Sequence, residues 1–248
     1  MTILVTSSYT SRSLKQSLHQ YDQLKLSRVN LEIFSNAMKT TLTLSYDILL
    51  VLFLEIRLHC FYHLSLLFRN ASHYASAIDT DPDENIMTLN RDLTRLQETL
   101  HASLNENKFS FLFQGLGFVL ATILIRAAPR FNRLSETGVT KMCRNIFAIE
   151  QTLTPIRTVG DAELMRAHRY YDLLLYTTKA DDIIAFLEEH RHVYTEQDVL
   201  HLLQLKHRSF PASESGNFDL HKYEQLIKKA FQPNSTTSNK MANGQKKH

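Results

Sequence analysis

Two histidines one helical turn apart have a spacing that suits metal chemistry. His59 and His63 lie on either side of Cys60 in the segment "LEIRLHCFYHL". A pair of this kind can chelate a transition metal, but a zinc-protease helix also needs a glutamate directly after the first histidine, and position 60 is cysteine. No further ligand cluster lies nearby in the sequence, so the pattern favours paired histidines at the edge of a core helix. His190 and His192, at a charged helix end, favour a solvated role.

Two glycines open the stretch "GLGFVLATILIR" and raise the question of a phosphate loop. The dinucleotide fingerprint needs three glycines as G-x-G-x-x-G, whereas Gly115 and Gly117 are followed by Phe118, Val119 and Leu120, and no Walker pattern is present. The glycines therefore indicate either a close approach of two helices or a local irregularity. The apolar runs 116–125 and 48–54 are shorter than the roughly 20 residues of a membrane span, so both are predicted to be core helices.

No pattern for nucleophilic catalysis stands out. The chain has no G-x-S-x-G elbow, and Cys143 falls on the apolar face of a predicted helix, where a thiol is usually inert packing. Tyr170–Tyr171 and the alternating phenylalanines 109, 111 and 113 are predicted to be core anchors before stacking platforms. We therefore expect no catalytic, cofactor-binding or metal-binding residue and no cofactor. The prediction is that the protein is not an enzyme, with a metal-dependent enzyme as the third hypothesis.

Composition indicates an all-α protein. The 248 residues include 6 glycines and 5 prolines, well below the roughly 7 % and 5 % of average usage, and both are residues that helix interiors reject. The 2 cysteines cannot build a disulfide framework and suit a reducing compartment. The start "MTILVTSSYTSRS" lacks the apolar core of a signal peptide, while its Ser/Thr-rich, acid-poor composition leaves a mitochondrial presequence as an alternative.

Charge is concentrated in the tail. Residues 222–248 hold six lysines and one acid, a net charge of +5, so the rest of the chain sums to −2 against the total of +3. A near-neutral body argues against nucleic-acid binding, which needs a basic face. The segment 233–248 is polar, lacks aromatic residues and is expected to be disordered. Its lysines favour a solvated role, with contact to anionic membrane as the alternative.

Hydrophobic periodicity places helices along most of the chain. Amphipathic helices are predicted near 14–39, 86–104, 139–153 and 218–231, and one long periodic helix is predicted to run from Asp161 to Leu187. The segment "TEQD" at 195–198 resembles a capping box ahead of another helix. The segment 42–68 is apolar nearly all round, which is typical of a helix buried on several sides.

Several segments resemble a known family. "NKFSFLFQGLG", followed by "ILI" and by "RLSETGVTKMCRNIFAIEQTLT", resembles the C-terminal region of exocyst complex component 4. The segments 54–64, 89–104 and 194–209 are also similar to that family, and the likeness is most specific over 107–154. It divides the chain into an N-terminal amphipathic helix of weak resemblance (1–46), a helical-bundle region (47–210), a short terminal helix (211–232) and a disordered basic tail (233–248).

The resemblance implies a non-catalytic subunit of the octameric complex that tethers secretory vesicles to the plasma membrane. It implies an elongated stack of antiparallel helical bundles, other exocyst subunits (notably component 3) as partners, and a cytoplasmic protein recruited peripherally to sites of secretion. Family members are several times longer, so this chain is interpreted as a fragment or truncated product. The ending "QKKH" does not match the PDZ-type peptide of some relatives. The alternative function is a stand-alone adaptor whose basic tail binds anionic membrane.

Overall fold

The computed structural model describes residues 28–69, 74–156, 161–177, 180–190, 192–210 and 220–231. Within these ranges the chain is helical and contains no strand, which confirms the all-α prediction. The nine α-helices of these ranges are α1 Arg28–Arg69, α2 Glu84–Ser103, α3 Glu106–Phe113, α4 Leu116–Arg126, α5 Glu136–Leu153, α6 Asp161–Tyr176, α7 Ala180–Glu189, α8 Glu196–Ser209 and α9 Leu220–Phe231, with a 3₁₀ turn at Ala128–Arg130.

The helices share one apolar core. Helix α1 packs against α2, α3 and α4, while α5 packs between α2 and α6. Helix α6 also lies on α4, and α8 joins the bundle through α6, α7, α9 and the 3₁₀ turn. One cluster of buried residues runs from Leu49 in α1 to Ile227 in α9. The hydrophobic effect therefore holds the bundle together from Leu49 onward.

Side-chain caps fix where several helices begin. Asp83, Asn105 and Ser135 each accept a hydrogen bond from a backbone N–H in the first turn of α2, α3 and α5. Thr195 forms a capping box with Asp198 at the start of α8, as the "TEQD" segment predicts. These bonds satisfy N–H groups that have no partner inside the helix.

The glycine question is answered by a break between α3 and α4. Gly115 adopts a left-handed conformation with φ 70°, and a Cβ added there would meet nothing within 4 Å. The sequence left two explanations open for the glycines, a close approach of two helices or a local irregularity. At Gly115 the structure shows the local irregularity and no close approach. Glycine suits the turn because residues with a Cβ rarely adopt positive φ.

Arg57 of α1 stabilises the end of α3 at this break. Its guanidinium donates to the backbone carbonyl of Leu112 at 3.0 Å and to that of Gln114, and it stacks 3.2 Å from the centre of the Phe53 ring. Burial lowers the pKa of Arg57 from its ordinary value. Because a guanidinium is still charged at neutral pH, it complements the negative end of the α3 dipole.

The stretch Glu106–Arg130, which spans α3 and α4, is long and apolar enough to cross a membrane, with a mean hydropathy of 1.8. The run 116–125, which was predicted to be too short for a membrane span, is one part of this longer apolar stretch. The chain bends at Gly115 within this stretch. Of the 18-residue apolar window inside the stretch, 56 % is buried within the chain. This burial agrees with the prediction of core helices.

The helix predicted over 161–187 is divided in two. Helix α6 ends at Tyr176 and α7 starts at Ala180. Lys206 of α8, which is 2 % exposed, donates to the backbone carbonyls of Leu174 and Thr177. A buried ammonium at this position satisfies carbonyls left open at the α6 terminus, so the chain can stop the helix there.

Helix α1 is continuous through residue 46, where the family likeness weakens. The segment 42–68 was predicted to be buried on several sides, and that prediction was wrong because one side of α1 packs on the bundle while the other is exposed. Residues 14–27 of the predicted N-terminal helix and the tail 233–248 lie outside the described residues.

A second glycine yields a stability prediction. Gly138 lies in the first turn of α5, where a Cβ would sit 2.0 Å from the Tyr74 carbonyl oxygen. Changing an ordinary helical glycine to alanine stabilises a protein by about 0.5–1 kcal/mol. Gly138→Ala should instead lower the free energy of unfolding by about 1–3 kcal/mol, because the backbone of Tyr74 must move.

Urea denaturation of the purified chain measures this effect. Thr137→Ala, in the same turn, is the matched control and should change the free energy of unfolding by less than about 0.5 kcal/mol. A Gly138→Ala variant as stable as the parent chain would show that Tyr74 does not hold this position.

Candidate interaction surface

Helix α1 carries apolar side chains on two opposite faces. One face is buried in the bundle, and its members are Leu49, Ile56, Cys60, Leu64, Leu67 and Phe68. The other face exposes apolar side chains along much of the helix, namely Ile33, Leu44, Val51, Leu54, Leu58, Phe61 and Tyr62. A helix with a single buried stripe normally carries polar residues on the opposite side, so the second face is unusual for an isolated bundle.

The exposed face follows a heptad repeat. Leu44, Val51 and Leu58 are seven residues apart, and Leu54 and Phe61 occupy the intervening positions that complete the pattern. These five residues are named the heptad seam. Val51 is 66 % exposed and Leu58 is 60 % exposed. This spacing is the one that packs a helix along another helix with knobs in holes, so the heptad seam is suited to a partner helix.

Acidic residues interrupt and border the heptad seam. Asp47 occupies the same heptad position as Leu54 and Phe61 and interrupts the apolar row, and Glu55 lies beside Val51 and Leu58, with both acids exposed. Arg57, the basic residue nearest these positions in α1, is directed to the α3 carbonyls. A partner helix that is apolar at heptad spacing and carries Lys or Arg opposite Asp47 and Glu55 would match both the shape and the charge of this surface.

The segment "KMCRNIF", which carries much of the family likeness, is a structural element of α5. Asn145 is fully buried, donates to the Tyr74 hydroxyl at 2.8 Å and accepts from the Asp83 backbone N–H at 2.7 Å. Lys141 forms an ion pair with Asp79. These bonds fasten the connection between α1 and α2 onto α5, so the segment has a structural role beside α1.

The paired tyrosines of α6 are core anchors, as predicted. Tyr170 donates its hydroxyl hydrogen bond to the Asp198 carbonyl and Tyr171 donates to the Leu124 carbonyl, each at 2.7 Å. Burial is the main cause that raises the pKa of both phenols above their ordinary value. Both rings are fully buried, so neither offers a face for stacking a ligand.

Of the three alternating phenylalanines, 109 and 113 are buried, whereas Phe111 is 40 % exposed and stacks on Phe53.

The two cysteines are buried and protonated at neutral pH. Burial raises the pKa of Cys60 to about 12, with Arg57 acting weakly in the opposite direction. Burial and the nearby Asp172 carboxylate raise the pKa of Cys143. Since the thiolate is the reactive form, these environments agree with the expectation of inert packing.

The histidines highlighted by the sequence have different surroundings. The rings of His59 and His63 lie 4.6 Å apart, and both face Asp92 of α2. Asp92 was missed by sequence reasoning because it lies 33 residues beyond His59, and no pattern links the two positions. His190 stacks on Phe186 and bonds its backbone carbonyl, while His192 is exposed.

Comparisons with known proteins give the family. No family model matches the chain. It is 37 % identical over 205 residues to exocyst complex component 4 of Mus musculus, covering 81 % of this chain, and 40 % identical over 163 residues to that of Homo sapiens, covering 65 %. The component 4 of Drosophila melanogaster is 32 % identical over 184 residues and covers 71 % of this chain. The chain spans roughly a fifth of the length of these relatives, at 21 %, 16 % and 18 %. This chain belongs to the exocyst complex component 4 family.

Proposed function

We propose that this chain acts as a non-catalytic subunit, or part of one, of the exocyst complex and takes part in tethering secretory vesicles at the plasma membrane. The names of the relatives, which are exocyst components, support assembly into that complex. The observation that carries the proposal is the heptad seam, an exposed apolar surface on a helix whose other side is already packed. A protein of this design binds through a helix face, which suits a structural component better than an enzyme.

The heptad seam is proposed to bind a helix of another exocyst subunit, notably component 3. Such a helix would cover Val51, Leu54 and Leu58 and place its basic side chains opposite Asp47 and Glu55. Burying a leucine or valine side chain completely contributes about 1.5–3 kcal/mol of free energy. Because these side chains are partly exposed in the free chain, burying the exposed part against a partner contributes a share of that free energy to binding. Several such side chains in one row can therefore support a specific contact.

The proposed regions of the chain and its proposed location rest on the resemblance to the exocyst complex component 4 family. The region 47–210 is proposed to correspond to the C-terminal helical bundles of the family, with 1–46 and 211–232 as flanking helical parts and 233–248 as a basic tail. The protein is proposed to act in the cytoplasm and to be recruited peripherally to sites of secretion. No catalytic activity is needed for this role, because a tether works through its span and its contacts.

Co-purification tests the proposed partner surface. The tagged full chain, expressed in cells, should recover other exocyst subunits. Val51→Lys combined with Leu58→Lys should reduce that recovery at least about tenfold, because two charges would be buried at the centre of the contact. Quantitative immunoblotting of the captured subunits measures the effect.

Two exposed apolar residues elsewhere provide the control. Met87→Lys combined with Phe147→Lys adds the same charge at positions that are 45 % and 53 % exposed on α2 and α5. This control variant should recover exocyst subunits as the parent chain does. Equal recovery with the seam variant would place the contact elsewhere, and no recovery with the parent chain would contradict the proposed function itself.

A second candidate function is a peripheral adaptor that uses its basic C-terminal part on anionic membrane. Helix α9 favours it, since Lys222, Lys228 and Lys229 are exposed along the helix while Ile227 is buried. Each lysine near an anionic surface contributes about 1 kcal/mol. These lysines and those of the tail would add their effects only if the membrane is negatively charged.

Sedimentation with vesicles separates this candidate from the first. The adaptor function predicts binding to vesicles that contain phosphatidylserine, weaker binding in high salt, and a marked loss of binding when residues 233–248 are deleted. Vesicles of neutral phosphatidylcholine are the control. Binding that is unchanged by the deletion would show that residues 233–248 do not contribute to membrane binding.

A further inference from the structure

Three side chains that can ligate a metal converge between α1 and α2. His59 and His63 of α1 and Asp92 of α2 each offer one ligand atom, and these atoms all lie within 4.8 Å of one another. The Nε2 atoms of His59 and His63 lie 3.2 Å and 3.8 Å from the same Asp92 oxygen, Oδ2. The i, i+4 pair on one helix is completed by a carboxylate from the neighbouring helix.

The separation between His59 and Asp92 is close to the edge of a tetrahedral site. With bonds of about 2.0–2.1 Å from zinc to nitrogen or oxygen, two ligand atoms of a tetrahedron lie about 3.3–3.4 Å apart. The 3.2 Å between His59 Nε2 and Asp92 Oδ2 is near this length, and the 3.8 Å between His63 Nε2 and Asp92 Oδ2 would have to shorten when an ion binds. We propose that His59, His63 and Asp92 form a Zn²⁺ site that joins α1 to α2.

The surroundings of His63 support a ligand at this point. The His63 side chain is 9 % exposed, and its Nδ1 atom is buried without a hydrogen-bond partner within the described part of the chain. The 3.8 Å separation between His63 Nε2 and Asp92 Oδ2 is longer than a hydrogen bond. A metal ion between Nε2 and the carboxylate would give His63 Nε2 the bond that this separation does not provide. It would not satisfy Nδ1, on the other side of the ring.

The donor set selects the class of ion. Two imidazoles and one carboxylate suit zinc and similar transition metals, whereas calcium and magnesium require mostly oxygen ligands. His59 and Asp92 have side chains that are 39 % and 34 % exposed, which gives an ion a path from solvent. Three protein ligands leave a fourth position for water or for a side chain of another molecule.

A second cluster serves as the internal comparison. Cys143, His168 and Asp172 also lie close enough to share an ion, but both Cys143 and His168 already bond Asp172. In the α1–α2 cluster His59 bonds Asp92, whereas His63 does not. The Cys143 thiol donates to Asp172 Oδ1 at 3.3 Å, and His168 Nδ1 lies 2.9 Å from Asp172 Oδ2. A metal there would have to remove the thiol proton, which burial opposes. The proposal therefore concerns the α1–α2 cluster alone.

Metal binding to the purified full chain tests the site. After removal of metals with a chelator, Zn²⁺ should bind at one equivalent in competition with a chromophoric chelator. Asp92→Asn and His59→Gln, both at partly exposed positions, should each weaken the affinity at least about tenfold. Zn²⁺ at 100 times its dissociation constant should raise the Tm of the parent chain by about 5–10 °C and leave that of the variants nearly unchanged.

Control variants and spectroscopy identify the ligands. Cys143→Ser and His168→Gln, in the comparison cluster, should bind Zn²⁺ as the parent chain does. Co²⁺ in the site should show the strong visible absorption of a tetrahedral ion without a thiolate charge-transfer band. Circular dichroism establishes that each variant is folded. Absence of stoichiometric binding, unchanged affinity in folded Asp92→Asn and His59→Gln, or a thiolate band would each overturn the proposal.

Discussion

The packing of the bundle and its exposed heptad seam both depend on one helix that has two apolar faces. Helix α1 buries one face against α2, α3 and α4, while the heptad seam on the other side stays exposed. The hydrophobic effect that holds the bundle together acts equally on the uncovered face, so α1 is a structural element on one side and a candidate binding surface on the other. Exposed apolar patches of this kind, with a polar border, are typical of protein interfaces.

The position of this surface is fixed by buried polar contacts in a chain with few glycines. Helices often end on a glycine, and among the described glycines only Gly115, after α3, has positive φ. Cationic side chains from other helices also bond terminal carbonyls, with Arg57 at the end of α3 and Lys206 at the end of α6. The amide of Asn145 fastens the α1–α2 connection by bonding the Tyr74 hydroxyl and the Asp83 backbone N–H. The "KMCRNIF" segment, which carries much of the family likeness, thus has a structural role in holding the α1–α2 connection on α5.

Periodicity predicted the class of the fold and much of the core, because apolar spacing along a helix is a local property. The capping box at Thr195 and the buried tyrosines of α6 were predicted for the same reason. The all-round apolar segment 48–68 indicated that something outside the chain covers part of it. Which side of α1 stays exposed was not predicted, since an apolar residue looks the same in sequence whether the chain or a partner covers it. The break after Tyr176 and the approach of Asp92 to His59 depend on contacts between distant residues, such as Lys206 with Leu174.

Hydroxyl-radical footprinting with mass spectrometry measures directly whether a partner covers the second face of α1. The account predicts that Leu54, Leu58 and Phe61 are oxidised readily in the isolated chain and are protected when the chain is assembled with other exocyst subunits. Phe147, which is 53 % exposed on α5, provides the reference and should react similarly in both samples. Equal oxidation of the heptad seam in the free and assembled chain would contradict the claim that this surface binds a partner.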